Sequence, residues 1–105
     1  MSTVSVYRPQ RIRDLVLRRD ALSRLTSTAA VLVAQERRHA DHTTLEETRW
    51  MVLEAGRVCQ RLECSREEIE AAIARGGLLN EPQQEYLMEV SEGLPPDLQA
   101  KIRGG

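Results

Sequence analysis

One helical pattern ends and another begins within residues 62–69, which read Leu62-Glu63-Cys64-Ser65-Arg66-Glu67-Glu68-Ile69. Ser65 and Glu68 have the spacing of a capping box, in which each side chain accepts a hydrogen bond from the backbone N–H of the other residue at a helix N-terminus. The stretch therefore predicts a helix, a tight turn and a second helix.

The composition of the chain favours an all-α fold. Of its 105 residues, 41% are hydrophobic and only 3% are aromatic, with no Phe. The core must therefore be built from small and medium aliphatic side chains, which suits closely packed helices, and no sustained polar–apolar alternation predicts successive strands. The length suits one domain. We expect a flexible N-terminal tail over 1–8 and a single helical domain over 9–103.

The first half of the chain predicts two long helices. Apolar residues at helical spacing indicate a first helix over about 10–40, and Thr26-Ser27-Thr28 leaves open a bend or break, because these side chains compete for backbone hydrogen bonds. Thr43 or Thr44 can cap the next helix, and Thr44 with Glu47 has the spacing of a second capping box. They predict a second helix over about 44–62.

The second half predicts shorter helices. One is expected over about 66–75, with Gly76-Gly77 as its left-handed stop, and another over about 82–92. Pro96 can open a last turn. We predict that the first two helices form a long antiparallel hairpin and that the two or three shorter helices close one end.

The apolar face of the second helix predicts close packing and self-association. Its stripe includes Leu53 and Gly56, and Gly56 costs nearly 1 kcal/mol of helix propensity relative to Ala, which a close helix approach would explain. In the fourth helix, Leu87 and Val90 are expected to point inward. The near-heptad stripe of the hairpin offers more apolar surface than two helices can cover, which predicts a homodimer.

Charge is distributed unevenly along the chain, although the formal net charge is only −1. Residues 1–40 carry eight Arg and three acidic residues, whereas residues 41–105 carry seven Lys or Arg and thirteen acidic residues. Such a chain can neutralise itself, attract a second copy or bind an acidic partner. We expect a basic face that binds a protein partner, formed by Arg8, Arg11, Arg13, Arg18, Arg19 and Arg24.

Residues 58–75 resemble a DNA-binding helix-turn-helix in the spacing of their apolar side chains. Such a segment would contact nucleic acid through Ser65 and Arg66, while the N-terminal arginines would neutralise phosphates. The second helix is nevertheless rich in glutamate, where a groove-reading helix needs basic or amide side chains, and Glu63 replaces the usual turn glycine. A DNA-binding transcriptional regulator is therefore the alternative to a protein-binding function.

No residue pattern predicts an enzyme, a metal site or a cofactor. Glu36 and His39 have the spacing of a helical metal-ligand pair, but the two arginines between them would repel a cation and the chain has no second copy of the motif. Cys59 and Cys64 are too few for a disulfide framework and fall on apolar positions, where cysteine behaves as a small buried group. We expect a non-enzymatic protein without metal or cofactor.

Location is predicted from the absence of targeting signals. The longest uninterrupted apolar run, residues 29–34, is far shorter than the ~20 residues needed to cross a bilayer, and no signal-like N-terminus precedes it. Fourteen Arg against one Lys is typical of GC-rich bacterial coding. We expect a cytoplasmic bacterial protein with no membrane role, acting as an adaptor, a regulator or a chaperone-like subunit.

Overall fold

The computed structural model describes residues 9–93, with side chains over 12–92, and consists there of four α-helices and no strand. The helices are α1 (Pro9–Arg37), α2 (His42–Arg61), α3 (Arg66–Leu78) and α4 (Glu81–Gly93). The all-α prediction is therefore confirmed for the described residues. The expected tail over 1–8, the last turn from Pro96 and the end of the expected domain lie outside them.

The first helix is the element on which the other three assemble, because α1 contacts α2, α3 and α4. It continues without interruption through Thr26-Ser27-Thr28, so the break that the sequence left open is absent. The hydroxyl of Thr28 donates a hydrogen bond of 2.8 Å to the carbonyl oxygen of Arg24, one turn earlier. This bond satisfies the hydroxyl without removing a donor from the helix backbone. The hairpin of α1 and α2 closed at one end stays a prediction.

Small residues let α1 and α3 approach each other closely. A Cβ atom added to Gly76 would lie 2.6 Å from the carbonyl oxygen of Thr26 and 2.8 Å from both the Cβ of Ala29 and the backbone nitrogen of Ala30. Ala72, one turn earlier on α3, is fully buried, and its carbonyl oxygen lies 2.9 Å from the Thr26 hydroxyl. We call these five residues the small-residue seam. They set the α1–α3 separation, since helix spacing depends on the side chains at the contact.

Two glycine assignments made from the sequence are wrong. Gly76-Gly77 does not end α3, because both glycines lie inside the helix and neither has a positive φ. Gly56 has nothing within 4 Å of an added Cβ, so none of the other described helices approaches α2 there. Leu53, expected on the same buried stripe, is 53% exposed. The close approach occurs on α3, where the sequence predicted a helix stop.

The buried core is built from small side chains in two clusters along α1. The first cluster joins α1, α2, α3 and the connection before α3, and consists of Leu25, Ala55, Cys59, Cys64 and Ala72. The second cluster joins α1 and α4, and consists of Val31, Ala34 and Met88. The expected core of small and medium side chains is therefore confirmed. It leaves Trp50 and Tyr86 on the surface.

Polar side chains attach α3 and α4 to the end of α1. Gln84 is almost fully buried, and its amide nitrogen donates a hydrogen bond of 3.1 Å to the carbonyl oxygen of Gly76. Its amide oxygen accepts a hydrogen bond of 2.7 Å from Arg37. Arg37 and Arg38 also form ion pairs with Glu85, at 3.1 Å and 2.7 Å. Hydrogen bonding from Arg37 lowers the pKa of the Glu85 carboxyl.

The N-terminus of α2 differs from its prediction. Asp41 is the capping residue, and its carboxylate accepts a hydrogen bond of 2.7 Å from the backbone nitrogen of Thr44. The expected capping box of Thr44 and Glu47 is therefore wrong, because aspartate is an equally good cap and lets the helix begin earlier, at His42. The same backbone hydrogen bond lowers the pKa of Asp41.

We predict that Gly76→Ala lowers the free energy of unfolding by roughly 1–3 kcal/mol, because the new methyl group meets backbone atoms of α1 that cannot rotate away. Gly77→Ala and Gly56→Ala are matched controls: both sites are helical with open space around the added Cβ. In each control, the free energy of unfolding should rise by about 0.5–1 kcal/mol, because alanine has a higher helix propensity than glycine. Urea denaturation followed by circular dichroism measures all three. A Gly76→Ala protein as stable as the controls would mean that α1 and α3 lie further apart.

Candidate interaction surfaces

The junction between α2 and α3 forms as the quoted stretch predicts. The hydroxyl of Ser65 accepts a hydrogen bond of 3.1 Å from the backbone nitrogen of Glu68, and the Glu68 carboxylate accepts one of 2.8 Å from the backbone nitrogen of Ser65. The capping box is therefore confirmed. Because the backbone N–H of Ser65 bonds to the charged form of Glu68, it lowers the pKa of that carboxyl.

The turn before this capping box is stabilised by a backbone hydrogen bond within the turn and by a side chain of α1. Glu63 adopts a left-handed conformation with φ 64, the geometry for which glycine is the usual residue. The backbone nitrogen of Cys64 donates a hydrogen bond of 3.0 Å to the carbonyl oxygen of Cys59. From α1, Arg18 donates a hydrogen bond of 2.7 Å to the carbonyl oxygen of Leu62 and lies 3.8 Å from the Glu63 carboxylate. The tight turn thus forms without glycine.

The two residues expected to contact nucleic acid are both engaged within α3. Ser65 uses its hydroxyl in the capping box, and the guanidinium of Arg66 donates a hydrogen bond of 2.9 Å to the Glu70 carboxylate. This ion pair is highly exposed, so water screens it and it contributes little stability. Glu67 is also exposed. The outer surface of α3 therefore presents carboxylates beside its one exposed N-terminal arginine.

The six arginines expected to form a basic face are spread over α1. Arg8 lies outside the described residues, and Arg11 belongs to the first turn of the helix. Arg18 is half-buried against the α2–α3 junction. The remaining three are exposed. Of these, Arg13 and Arg24 share a side of the helix because about three turns separate them, whereas Arg19 is rotated away from both.

The first surface of interest is the N-terminal segment of α1, residues 12–17, all of which are exposed. Its large apolar side chains retain 57% exposure at Ile12, 56% at Leu15, 42% at Val16 and 40% at Leu17. Leu15 lies seven residues before Leu22 and has the spacing of a buried helix face, yet it is exposed, because this segment precedes the stretch of α1 that the other helices cover.

The second surface is a groove on α4 that we call the α4 groove. It has a volume of 390 Å³ and is lined by Leu79, Pro82, Gln83, Tyr86 and Leu87. Tyr86 is 66% exposed, and Val90, expected to point inward, is 44% exposed while Met88 takes the buried position. The overlooked signal is the spacing of Pro82, Tyr86 and Val90, which are four residues apart along one side of α4.

The third surface lies on α2 around Trp50. A cavity of 300 Å³ is lined there by Glu47, Trp50, Met51 and Glu54. Glu54 forms an ion pair of 2.8 Å with Arg57, one turn later. Acidic and basic side chains are thus mixed around this apolar patch, in contrast to α4, which has no basic residue.

The cysteines occupy the buried positions that the sequence predicts. Cys59 and Cys64 are both free and buried. Burial raises the pKa of the Cys59 thiol to about 11, so little of the nucleophilic thiolate is present at neutral pH. Both side chains pack in the first core cluster.

The potential metal ligands at the end of α1 do not share a helix face. The helix ends at Arg37, and His39 has a left-handed φ of 56 beyond that end. Glu36 and His39 are therefore not one turn apart on a continuous helix. Among the described residues, no group of three or more His, Cys, Asp or Glu side chains could hold a metal ion.

Comparison of the chain with family models, curated proteins and solved structures gives no significant match. Across residues 9–93, no helix combines the length and the apolar character that crossing a membrane requires.

We predict that Glu63→Gly stabilises the protein by roughly 0.5–1 kcal/mol, because glycine adopts the left-handed conformation without the steric cost of a Cβ. Glu63→Ala is the control, since it removes the contact with Arg18 and keeps the Cβ. Chemical denaturation of both variants gives the difference. If Glu63→Gly is no more stable than Glu63→Ala, the turn has a different backbone conformation.

Proposed function

We propose that this chain is a small non-enzymatic bacterial protein of the cytoplasm that binds other proteins, as an adaptor, a regulator or a chaperone-like subunit, and that it self-associates. One observation carries the proposal: the core is filled by small residues, while large apolar side chains are exposed on all four described helices. Surface patches of this kind mark interaction sites more often than isolated apolar residues do.

The exposure of large apolar side chains on the surface supports association. Several large apolar side chains are more than half exposed, among them Ile12, Leu15, Trp50, Leu78 and Tyr86. A single exposed apolar residue is common on soluble proteins. Ile12, Leu15 and Val16, however, have the i, i+3, i+4 spacing of one helix face. Covering such a face with a partner is favourable by about 25 cal/mol for each Å² of apolar surface removed from water.

The arrangement of the helices supports two separate contact faces. Only residues 38–41 connect α1 and α2, and short connections join antiparallel neighbours, which favours the predicted hairpin with α3 and α4 closing one end.

Exposed arginines lie toward the start of α1, whereas α4 carries four glutamates and no basic residue. Opposite charges on separate surfaces favour specific pairing.

Sedimentation equilibrium tests self-association. We expect the protein at tens of micromolar to sediment with twice the mass of the chain, and to dissociate on dilution. Added salt should weaken the dimer modestly, because apolar contacts persist when charges are screened. A monomer at tens of micromolar would contradict the self-association proposed here.

A DNA-binding regulator is the second candidate, and the position of Arg18 favours it. That side chain contacts the turn of the helix-turn-helix-like segment 58–75, so the basic helix and the segment are neighbours in space although they are distant in sequence. The carboxylates of Glu67 and Glu70 on the outer surface of α3 oppose it, since they would face the phosphates of a duplex.

A salt titration with a labelled duplex separates the two functions. Under the leading proposal, no binding is detected at low salt. A steep fall in affinity with salt, reduced by Arg13→Ala or Arg19→Ala, would support the regulator instead. Arg57→Ala on α2 is the control, and Arg18 is left unchanged because its loss would also disturb the junction.

A further inference from the structure

We propose that the N-terminal segment of α1 in one copy of the chain occupies the α4 groove of a second copy, and that the second copy returns the same contact. The inference rests on the self-association proposed above and identifies the surfaces that produce it. It combines an exposed apolar helix face with an apolar groove that has acidic residues beside it.

The two surfaces have the features of a helix bound in a groove. Ile12, Leu15 and Val16 form the apolar face of a helical segment, and this i, i+3, i+4 pattern is how amphipathic helices anchor in apolar grooves. The α4 groove offers Pro82 and Tyr86 one turn apart, with a volume of 390 Å³. A helix face of this kind is the occupant that the groove suits.

Charge selects this combination over pairing of like surfaces. Arg19 lies two turns after Ile12 on the apolar face of α1, and Glu89 lies two turns after Pro82 beside the groove. Arg19 is exposed, and the Glu89 side chain is 67% exposed although the Arg38 guanidinium of its own chain lies 4.0 Å from its carboxylate. Two α1 segments placed together would bring arginines against arginines, and two α4 helices would bring glutamates against glutamates. Contact between α1 and α4 instead brings opposite charges together.

The segment cannot reach the groove of its own chain. Met88 of α4 packs with Val31 and Ala34, near the far end of α1. From Val16 to Ala34 the uninterrupted helix extends roughly 27 Å, at 1.5 Å per residue. The segment and the groove of one molecule are therefore held apart, and the occupant must come from another copy.

Reciprocal contact closes the assembly. If two copies align with their α1 helices antiparallel, the N-terminal segment of each lies level with the α4 helix of the other. Both contacts then form at once, as a two-fold interface requires, and no surface remains open for further addition. The expected product is a dimer and not a filament.

A charge exchange tests the contact. Arg19→Glu and Glu89→Arg, made separately, should each raise the dissociation constant of the dimer about tenfold or more, which corresponds to about 1.4 kcal/mol. The double variant Arg19→Glu/Glu89→Arg should regain most of the affinity, because opposite charges meet again with reversed sign. A loss caused only by breaking the Arg38–Glu89 contact within one chain would not be rescued by Arg19→Glu. Glu67→Arg on α3 is the control and should leave the dimer unchanged. Circular dichroism confirms that each variant is folded.

Cross-linking provides an independent measurement. Val16→Cys and Tyr86→Cys chains of different mass are mixed and treated with a short bismaleimide, with the wild-type chain as the control for the buried native cysteines. The mixture should give a cross-link between residues 16 and 86, and neither variant alone should give a dimer.

The outcomes of these experiments distinguish failure of the α1–α4 contact from failure of self-association. A wild-type dimer that shows no rescue in the double variant, or that cross-links through residue 16 to residue 16, would overturn the α1–α4 contact and leave self-association standing. A wild-type monomer would overturn self-association and this inference together.

Discussion

The close contact of α1 and α3 at Gly76 determines where the other elements can lie. The absent Cβ lets α3 rest against the backbone of Thr26 and Ala30. With α3 in that position, the α2–α3 turn comes within reach of Arg18, and Gln84 of α4 can bond to the carbonyl oxygen of Gly76. A larger residue at position 76 would separate the helices and weaken each of these contacts, since helix spacing follows side-chain size.

A core of small residues has a consequence for the surface. Closely spaced helices enclose little volume, so the bulkier apolar side chains are placed outside, as Trp50 and Tyr86 show. The same packing that holds the four helices together therefore leaves apolar faces available to partners. In this protein, internal packing and the proposed association have one cause: the side chains between α1 and its neighbouring helices are small.

The α2–α3 junction is stabilised both by residues close in sequence and by a side chain from α1. The capping box of Ser65 and Glu68 starts α3 from residues close in sequence, while Arg18 binds the turn from α1. The spacing of its apolar residues resembles that of a DNA-binding motif, yet its polar groups are mostly engaged in hydrogen bonds that hold the turn in place. Its clearest role is to direct α3 onto α1. The exposed apolar segment of α1 and the α4 groove are better placed for binding, because neither is covered within one copy.

The sequence by itself determined the all-α class, the four helices in order and the cap at Ser65, because periodicity and capping act between residues a few positions apart. Tertiary structure alone decided which apolar residues are covered: Leu15, Leu53 and Val90 have suitable spacing and are exposed. It also decided that Gly76, and not Gly56, is the site of close approach. Helical periodicity locates an apolar face, but burial depends on whether another helix reaches it, and that is a property of the assembled chain.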